Sequence, residues 1–583
     1  MKEKRLSCPT MSIVLSPAIT DIFMGLYGSN SQNDLNKLEV LVNEARSRLA
    51  APEDSRPPKM VTERDALLIT YADQLRGPGF SPLEELRLFA NSHLQGVVNG
   101  VHLLPFYPST SDDGFAVSDY LAVDPDIGTW DAVRQIGRDF DLMLDGVFNH
   151  MSAGSAWFHA FLENDPRYCD FFVEVHGNPD LSAVVRPRAL PLLTEFLSPT
   201  GPRKIWTTFS ADQVDLNFKN PAVLTEILKV LFFYIEQGAR FIRLDAIAFL
   251  WKEPGTSCLH LRQTHRVIQL MRAVLDQVAP HVRLITETNV PHKDNVSYFG
   301  NGQNEAQLVY NFALPPLVLH SISSGEATTL SSWAKTLNTP GDQVTFFNFL
   351  ASHDGIGLNP ARGILTDQEI EGLIERTLRH GGYISWKNLP DGSRSPYEMN
   401  INYFDACSNP SSTEPLALQV KRFLCAHAIM LALPGVPGVY FHSLFGSRGD
   451  RAGAESSGIP RRINRQKLER STLEAELAHT GSLRHAVFTG LNALLQARRR
   501  PAFHPAAPCE ILNLDPRVFA VRRTPLNGSQ PVLCLQNVSG ETVHVKRPAK
   551  GRWQRFAGTT PEETGFAEET VLNAFEFAWG TPA

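Results

Sequence analysis

Eight short apolar segments separated by helical stretches run from residue 66 to residue 440, and no other feature restricts the fold of this chain as strongly. They fall at 66–71, 100–105, 141–147, 241–248, 282–287, 306–310, 344–350 and 438–440. Most read as continuous apolar runs, as strands buried on both faces do. Helical patterns occupy 82–94, 130–140 and 259–278 between them. A parallel return needs a long crossover, which a helix supplies, so this alternation predicts parallel α/β architecture. Eight units in one domain predict a closed (β/α)8 TIM barrel with its functional groups at the C-terminal strand ends.

The units are unevenly spaced. About ninety residues separate the third and fourth strands, far more than an ordinary barrel loop holds. That excess, with its Pro-rich part at 186–199, predicts a small inserted domain over 151–212 at the barrel rim, leaving 66–150 and 213–500 for the barrel. Beyond residue 500, short alternating runs at 518–521, 531–535 and 542–545 are separated by turn residues such as Asn527-Gly528 and Ser539-Gly540. They predict a C-terminal antiparallel β-sandwich over 501–583. Ahead of the barrel, Leu38, Leu41, Val42 and Ala45 sit at helical spacing within 35–49. Residues 1–65 therefore read as a helical extension, closed by a Pro-rich charged linker at 50–58.

The net charge of -6 and pI near 6.3 argue against general binding to nucleic acid or anionic membranes. No apolar run approaches the ~20 residues of a membrane span. The segment 11–15 is short and broken by Ser16-Pro17, so no signal peptide is expected. The seven cysteines, Cys8, Cys169, Cys258, Cys407, Cys425, Cys509 and Cys534, contain no C-x-x-C pair. Neither a disulfide framework nor a zinc site is predicted, and the setting expected is the cytoplasm. No clustered carboxylate loop suggests calcium, and no organic cofactor is expected.

The chemistry concentrates at strand ends. Side chains alternate along a strand, so Arg243 and Asp245 share a face while Ile242 and Leu244 share the other. A charged pair at the end of an apolar strand is costly without a purpose. Glu287 and Asp354 end two further strands at the same predicted rim. Three carboxylates in one cavity cannot all titrate normally, since like charges raise at least one pKa. The set suits a retaining glycosidase-type mechanism. One carboxylate attacks the anomeric carbon while a protonated one, ~5 Å away, gives its proton to the leaving oxygen.

The segments 145–150 (Asp-Gly-Val-Phe-Asn-His), 242–245 (Ile-Arg-Leu-Asp), Thr286-Glu287 and Ser352-His353-Asp354 resemble, in order, the four signature segments of the alpha-amylase superfamily. Within it, 69–73, 252–258, 312–317 and 353–357 are similar to the sucrose phosphorylase subgroup. The resemblance implies Asp245 as nucleophile, Glu287 as general acid/base and Asp354 as transition-state stabiliser. It implies that Arg243 keeps Asp245 ionised and that Asp113, His150, His353 and Arg465 bind glucose hydroxyls. Phe106 or Tyr107 is a candidate to stack on the sugar face. A phosphorylase must also admit phosphate, which favours forked cationic donors, and Arg186 and Arg188 resemble the arginine loop of that subgroup.

At the acceptor side the chain departs from the sucrose enzymes. Thr288-Asn289 stands for their Val-His, Phe249 for a tyrosine, Ser395 for an aspartate and Glu398 for a glutamine, while Tyr397 is kept. With Trp251-Lys252 these features are more similar to glucosylglycerate phosphorylases. One carboxylate fewer, with Lys252, Lys387 and Arg394 nearby, favours an anionic acceptor such as glycerate. The implied reaction is phosphorolysis of an α-glucoside with retention, inorganic phosphate being the co-substrate. Sucrose, glucosylglycerol and sucrose 6'-phosphate phosphorylases, an α-glucosidase or transglucosidase, and a catalytically dead binding scaffold are the alternatives.

Overall fold

A computed structural model describes residues 14–49, 60–188, 190–388, 393–547, 552–559 and 568–583. Cys8, the linker at 50–58 and the tip 389–392 lie outside the described residues. Eight parallel strands close a barrel in chain order. They are β1 (Leu67–Thr70), β2 (Gly100–Leu103), β3 (Asp141–Gly146), β4 (Ala239–Leu244), β5 (Arg283–Thr286), β6 (Leu308–Tyr310), β7 (Thr345–Asn348) and β8 (Val436–Tyr440). β1 pairs with β2 on one side and β8 on the other, Leu67 meeting Gly100 and Gly438. Each strand lies within its predicted segment or, for β4 and β8, begins a few residues before it. Gly438 has a packing reason, since a Cβ there would run into the Phe347 ring.

The crossovers are helices for reasons visible in their first turns. Ser81 and Glu84 form a capping box ahead of Pro82–His93, with proline at the first position where no N–H is needed. Asn220 accepts from Ala222 N at 2.9 Å to start Pro221–Glu236, again with proline first. The N-terminal helices Pro17–Tyr27 and Gln32–Leu49 lie on the barrel's outer helices, Pro221–Glu236 and Arg262–Val278. Ile19, Phe23, Leu38 and Ala45 are buried there, and Tyr27 OH donates to Phe218 O at 3.1 Å. The helical extension is thus part of the outer layer.

After β3 the chain builds the antiparallel pair Leu193–Ser198 and Gly201–Trp206 over a small core of Val175, Val184, Leu192 and Trp206. A second excursion, between β7 and β8, is a sheet where the sequence predicts no strand. Tyr383–Asn388 and Arg394–Asn400 form a hairpin to which Ile356–Gly357 adds a third strand. In the eight-strand ring β3 and β7 are opposite, so these excursions rise from facing sides of the rim. Beyond residue 508 a five-stranded antiparallel sheet and a two-stranded one share a core of Val518, Leu533, Leu535, Val543 and Leu572. Arg523 anchors that sandwich to the barrel by donating to Ala432 O at 3.0 Å. Among the described residues, no helix is long and apolar enough to cross a membrane.

Candidate active site

At the C-terminal rim Arg243, fully buried on β4, holds three acids. Its guanidinium contacts Asp145 at the end of β3, reaches Asp245 Oδ1 at 2.8 Å and stands 3.9 Å from Glu287. Asp145 opens the signature segment 145–150, but the sequence assigns it no role. Against the cost of burial, Arg243 and His102, whose Nε2 is 2.6 Å away, keep its carboxyl below the usual range. Asp245 follows the last residue of β4, and the next residue, Ala246, has φ 48. This left-handed step is costly for alanine and lets Ala246 N donate to Glu287 Oε2 at 2.9 Å.

Burial raises both Asp245 and Glu287 above their ordinary values, with Arg243 opposing it at each. One proton is therefore shared by a pair that cannot both ionise cheaply. The bond from Arg243 to Asp245 is direct, while its approach to Glu287 is 3.9 Å, a difference that favours charge on Asp245 over charge on Glu287. Asp354 is the reverse case. Although burial works against its charge, Arg461, His353 and Arg465 hold it well below the carboxylate range. Arg461 reaches Asp354 Oδ1 at 2.7 Å and is fixed from behind by Glu398 at 3.0 Å.

These groups open into a cavity of about 240 Å³. Asp245, Glu287, Asp354, His150, His353, Asn289 and Tyr397 line it, as do Arg186 and Arg188. Burial lowers the pKa of His353 to about 3 and also that of His150, so both present neutral imidazoles. Phe115 stacks on His353 at 4.9 Å, and Phe115, Phe209 and Phe249 supply the apolar wall. Asn289 Nδ2 donates to Tyr397 OH at 3.3 Å.

Other expected residues lie elsewhere. Asp113 is turned away, its oxygens paired with Arg462 at 2.7 Å and Arg465 at 2.6 Å. Its neighbour Asp112 lines the cavity instead, both residues having positive φ. Arg465 stands behind Asp354 at 3.5 Å and donates to His353 O, so it acts on the wall rather than forming it. Phe106 and Tyr107 are buried against Trp130 and Tyr234 within the barrel, not at the cavity. Glu398 is buried against Gly355 N and Arg461. Arg394 is exposed on the hairpin and outside the lining.

Lys252 is the clearest correction. It is buried outside the cavity, its ammonium 2.6 Å from Asp215 and 2.7 Å from Asn149 Oδ1. A buried carboxylate without a counter-charge is costly, so this cation is committed to structure. Lys252→Met is expected to cost about 3 kcal/mol of stability, which calorimetric melting would record. An undiminished Tm would refute the structural role.

Arg461, Arg362 and Lys387 are the further cations of the lining. Lys387 stood among the acceptor-side cations of the sequence, whereas Arg461 and Arg362 had no distinguishing signal. Arg461 is one of three arginines within 461–465, and nothing local says which of them faces inward.

A β/α barrel with acids gathered at its C-terminal rim is the layout of a barrel enzyme. Residues 94–357 match the family model of the alpha amylase catalytic domain. A glucosylglycerate phosphorylase of Allomeiothermus silvanus is 51% identical over 523 residues, covering 89% of this chain and 91% of that protein. One from Escherichia coli is 46% identical over 533 residues, covering 90% and 94%. The crystal structure of sucrose 6F-phosphate phosphorylase from Thermoanaerobacter thermosaccharolyticum superposes with TM-score 0.72 at 23% identity over 88% of this chain and 99% of that one, a likeness of fold. The chain belongs to the alpha-amylase family, in the branch that contains the glucosylglycerate phosphorylases.

Proposed function

We propose that the chain is a retaining glycoside phosphorylase that cleaves 2-O-α-glucosylglycerate with inorganic phosphate to α-D-glucose 1-phosphate and glycerate. The observation that carries this reading is identity of 51% across 89% of the chain to a protein of that name. The acid pair and the cationic cavity supply chemistry that suits it.

In this mechanism ionised Asp245 attacks C1 of the glucosyl unit, and the bond from C1 to the glycerate oxygen breaks. Glu287 gives its proton to that oxygen, leaving a β-glucosyl ester on Asp245. A phosphate oxygen then displaces Asp245 from the opposite face and its proton returns to Glu287, so the two inversions give retention. Asp354, kept ionised by Arg461, faces the positive charge that builds on the ring in each transition state. His150 and His353 offer neutral donors and acceptors to the sugar hydroxyls. Asn289 and Tyr397 bound the acceptor side, and Arg186 and Arg188 receive phosphate.

No cofactor has a role in these steps. The partners are the small glucoside and phosphate, and the setting proposed is the cytoplasm, where the free cysteines stay reduced. The domain division proposed is a barrel over 66–150 and 213–500, an insertion over 151–212, a helical extension over 1–65 and a sandwich over 501–583.

The test is incubation with phosphate and a panel of glucosides, measuring glucose 1-phosphate against free glucose. Glucose 1-phosphate from glucosylglycerate is the expected outcome. Free glucose alone would mark a hydrolase, and preference for sucrose or glucosylglycerol would reassign the acceptor. Arg186→Gln and Arg188→Gln are each expected to slow phosphorolysis by roughly ten- to hundredfold, the worth of a lost charge-assisted bond. Slow hydrolysis of the glucosyl ester should fall far less. Equal loss in both reactions would remove these arginines from phosphate.

A further inference from the structure

The cations of the cavity differ in what neutralises them. Arg461 is paired with Asp354 and Glu398, and Arg188 with Asp112 at 2.8 Å. Arg362 and Lys387 are bonded to neutral groups. Arg362 Nη2 donates to Ser395 Oγ at 2.8 Å and to Pro396 O at 3.3 Å. Lys387 Nζ donates to Asn359 Oδ1 at 3.0 Å. Among the described residues, Arg362 has one carboxylate within ion-pairing distance, the fully exposed Asp367 at 4.0 Å, where water screens it.

The two cations form one unit. Lys387 faces Ser395 across the hairpin, and the bond from Arg362 ends on that same serine. Asn359, which receives Lys387, opens the short turn Asn359–Ala361 leading into Arg362. Burial and the Arg362 guanidinium both push the Lys387 ammonium below its ordinary value. Like charges held together in a cavity wall repel, and an anion bound between them relieves the cost. They rise from the β7 side, opposite the β3 excursion that carries Arg186 and Arg188, so two anions can be held on separate walls.

We propose that Arg362 and Lys387 seat the carboxylate of the acceptor, and that Ser395, by being neutral, leaves their charge free for it. This deepens, and rests on, the reading of a phosphorylase with an anionic acceptor. A carboxylate at position 395 would sit between the cations, neutralise them and repel an acid.

The test is calorimetric titration of glycerate and of glycerol into wild type, Arg362→Gln, Lys387→Met and Ser395→Asp, with glucosyl transfer from glucose 1-phosphate to each acceptor run in parallel. Each variant is expected to weaken glycerate binding by roughly ten- to hundredfold, and by at least about tenfold more than it weakens glycerol. Ser395→Asp keeps both cations and so separates lost charge from lost packing. Unchanged glycerate affinity in Ser395→Asp, or parallel loss of glycerate and glycerol in the other two, overturns the seat, as does wild type that fails to bind glycerate. Wild type that binds glycerate yet transfers glucose only to uncharged acceptors refutes the glycerate reaction, while the variants still decide the seat.

Discussion

Asp245→Asn is expected to keep its fold and lose roughly 10⁴-fold or more of turnover, because the substitution removes the nucleophile and conserves its shape. Arg243 argues for this residue over its neighbours. It bonds Asp245 directly at 2.8 Å while also gripping Asp145, which is fully buried and offers no atom to the cavity. Asp354 is held ionised, and Arg461 and Arg465 fix it as a stationary charge. Melting and turnover measured together separate chemistry from folding. A variant with unchanged Tm and even a tenth of the wild-type rate would exclude Asp245 as nucleophile. Trapping with a slow glucosyl donor and peptide mapping should place the sugar on the peptide that contains Asp245.

Glu287→Gln is expected to cut turnover by roughly 10²- to 10⁴-fold on glucosides with poor leaving groups and far less on those with activated ones, which need little protonation. A uniform loss across leaving groups would point to a structural role. The pH dependence has a definite sign. In the proposed mechanism Glu287 works protonated, and burial raises its pKa, so activity is expected to fall as pH rises through a value above the ordinary carboxyl range. The same shift bears on stability. A carboxyl that binds its proton more tightly when folded loses stability as pH rises from its unfolded pKa toward its folded one. Glu287→Gln removes that loss, so the variant should melt above wild type at alkaline pH, with the gap closing on acidification. A gap that widens on acidification would place the shared proton on another group.

The barrel and its acids were legible because both follow from local periodicity. Apolar runs marked all eight strands, and alternation along one of them put Arg243 and Asp245 on a common face, the arrangement the guanidinium then bonds. Strand ends of a β/α barrel converge on one rim whatever the loops do, so Glu287 and Asp354 could be assigned to the same cavity. The hairpin between β7 and β8 was less legible, since it pairs with Ile356–Gly357, some forty residues distant from its second strand.

By itself the sequence determined the barrel, the long excursion after β3, the three carboxylates at the strand ends and the resemblance to a phosphorylase branch, all of which rest on motifs and periods read along the chain. Only the tertiary structure decided which charges face the cavity. Lys252 and Lys387 look alike in sequence, yet one meets buried Asp215 and the other meets Asn359. Asp112 and Asp113 are adjacent, and their backbone torsions and the guanidinium groups of Arg188, Arg462 and Arg465 decide which of them turns inward. Arg362 acquires its meaning from Ser395, thirty-three positions away. Charges are long-ranged, and the free energy of each depends on partners from distant segments and on how much water remains, neither of which any local pattern encodes.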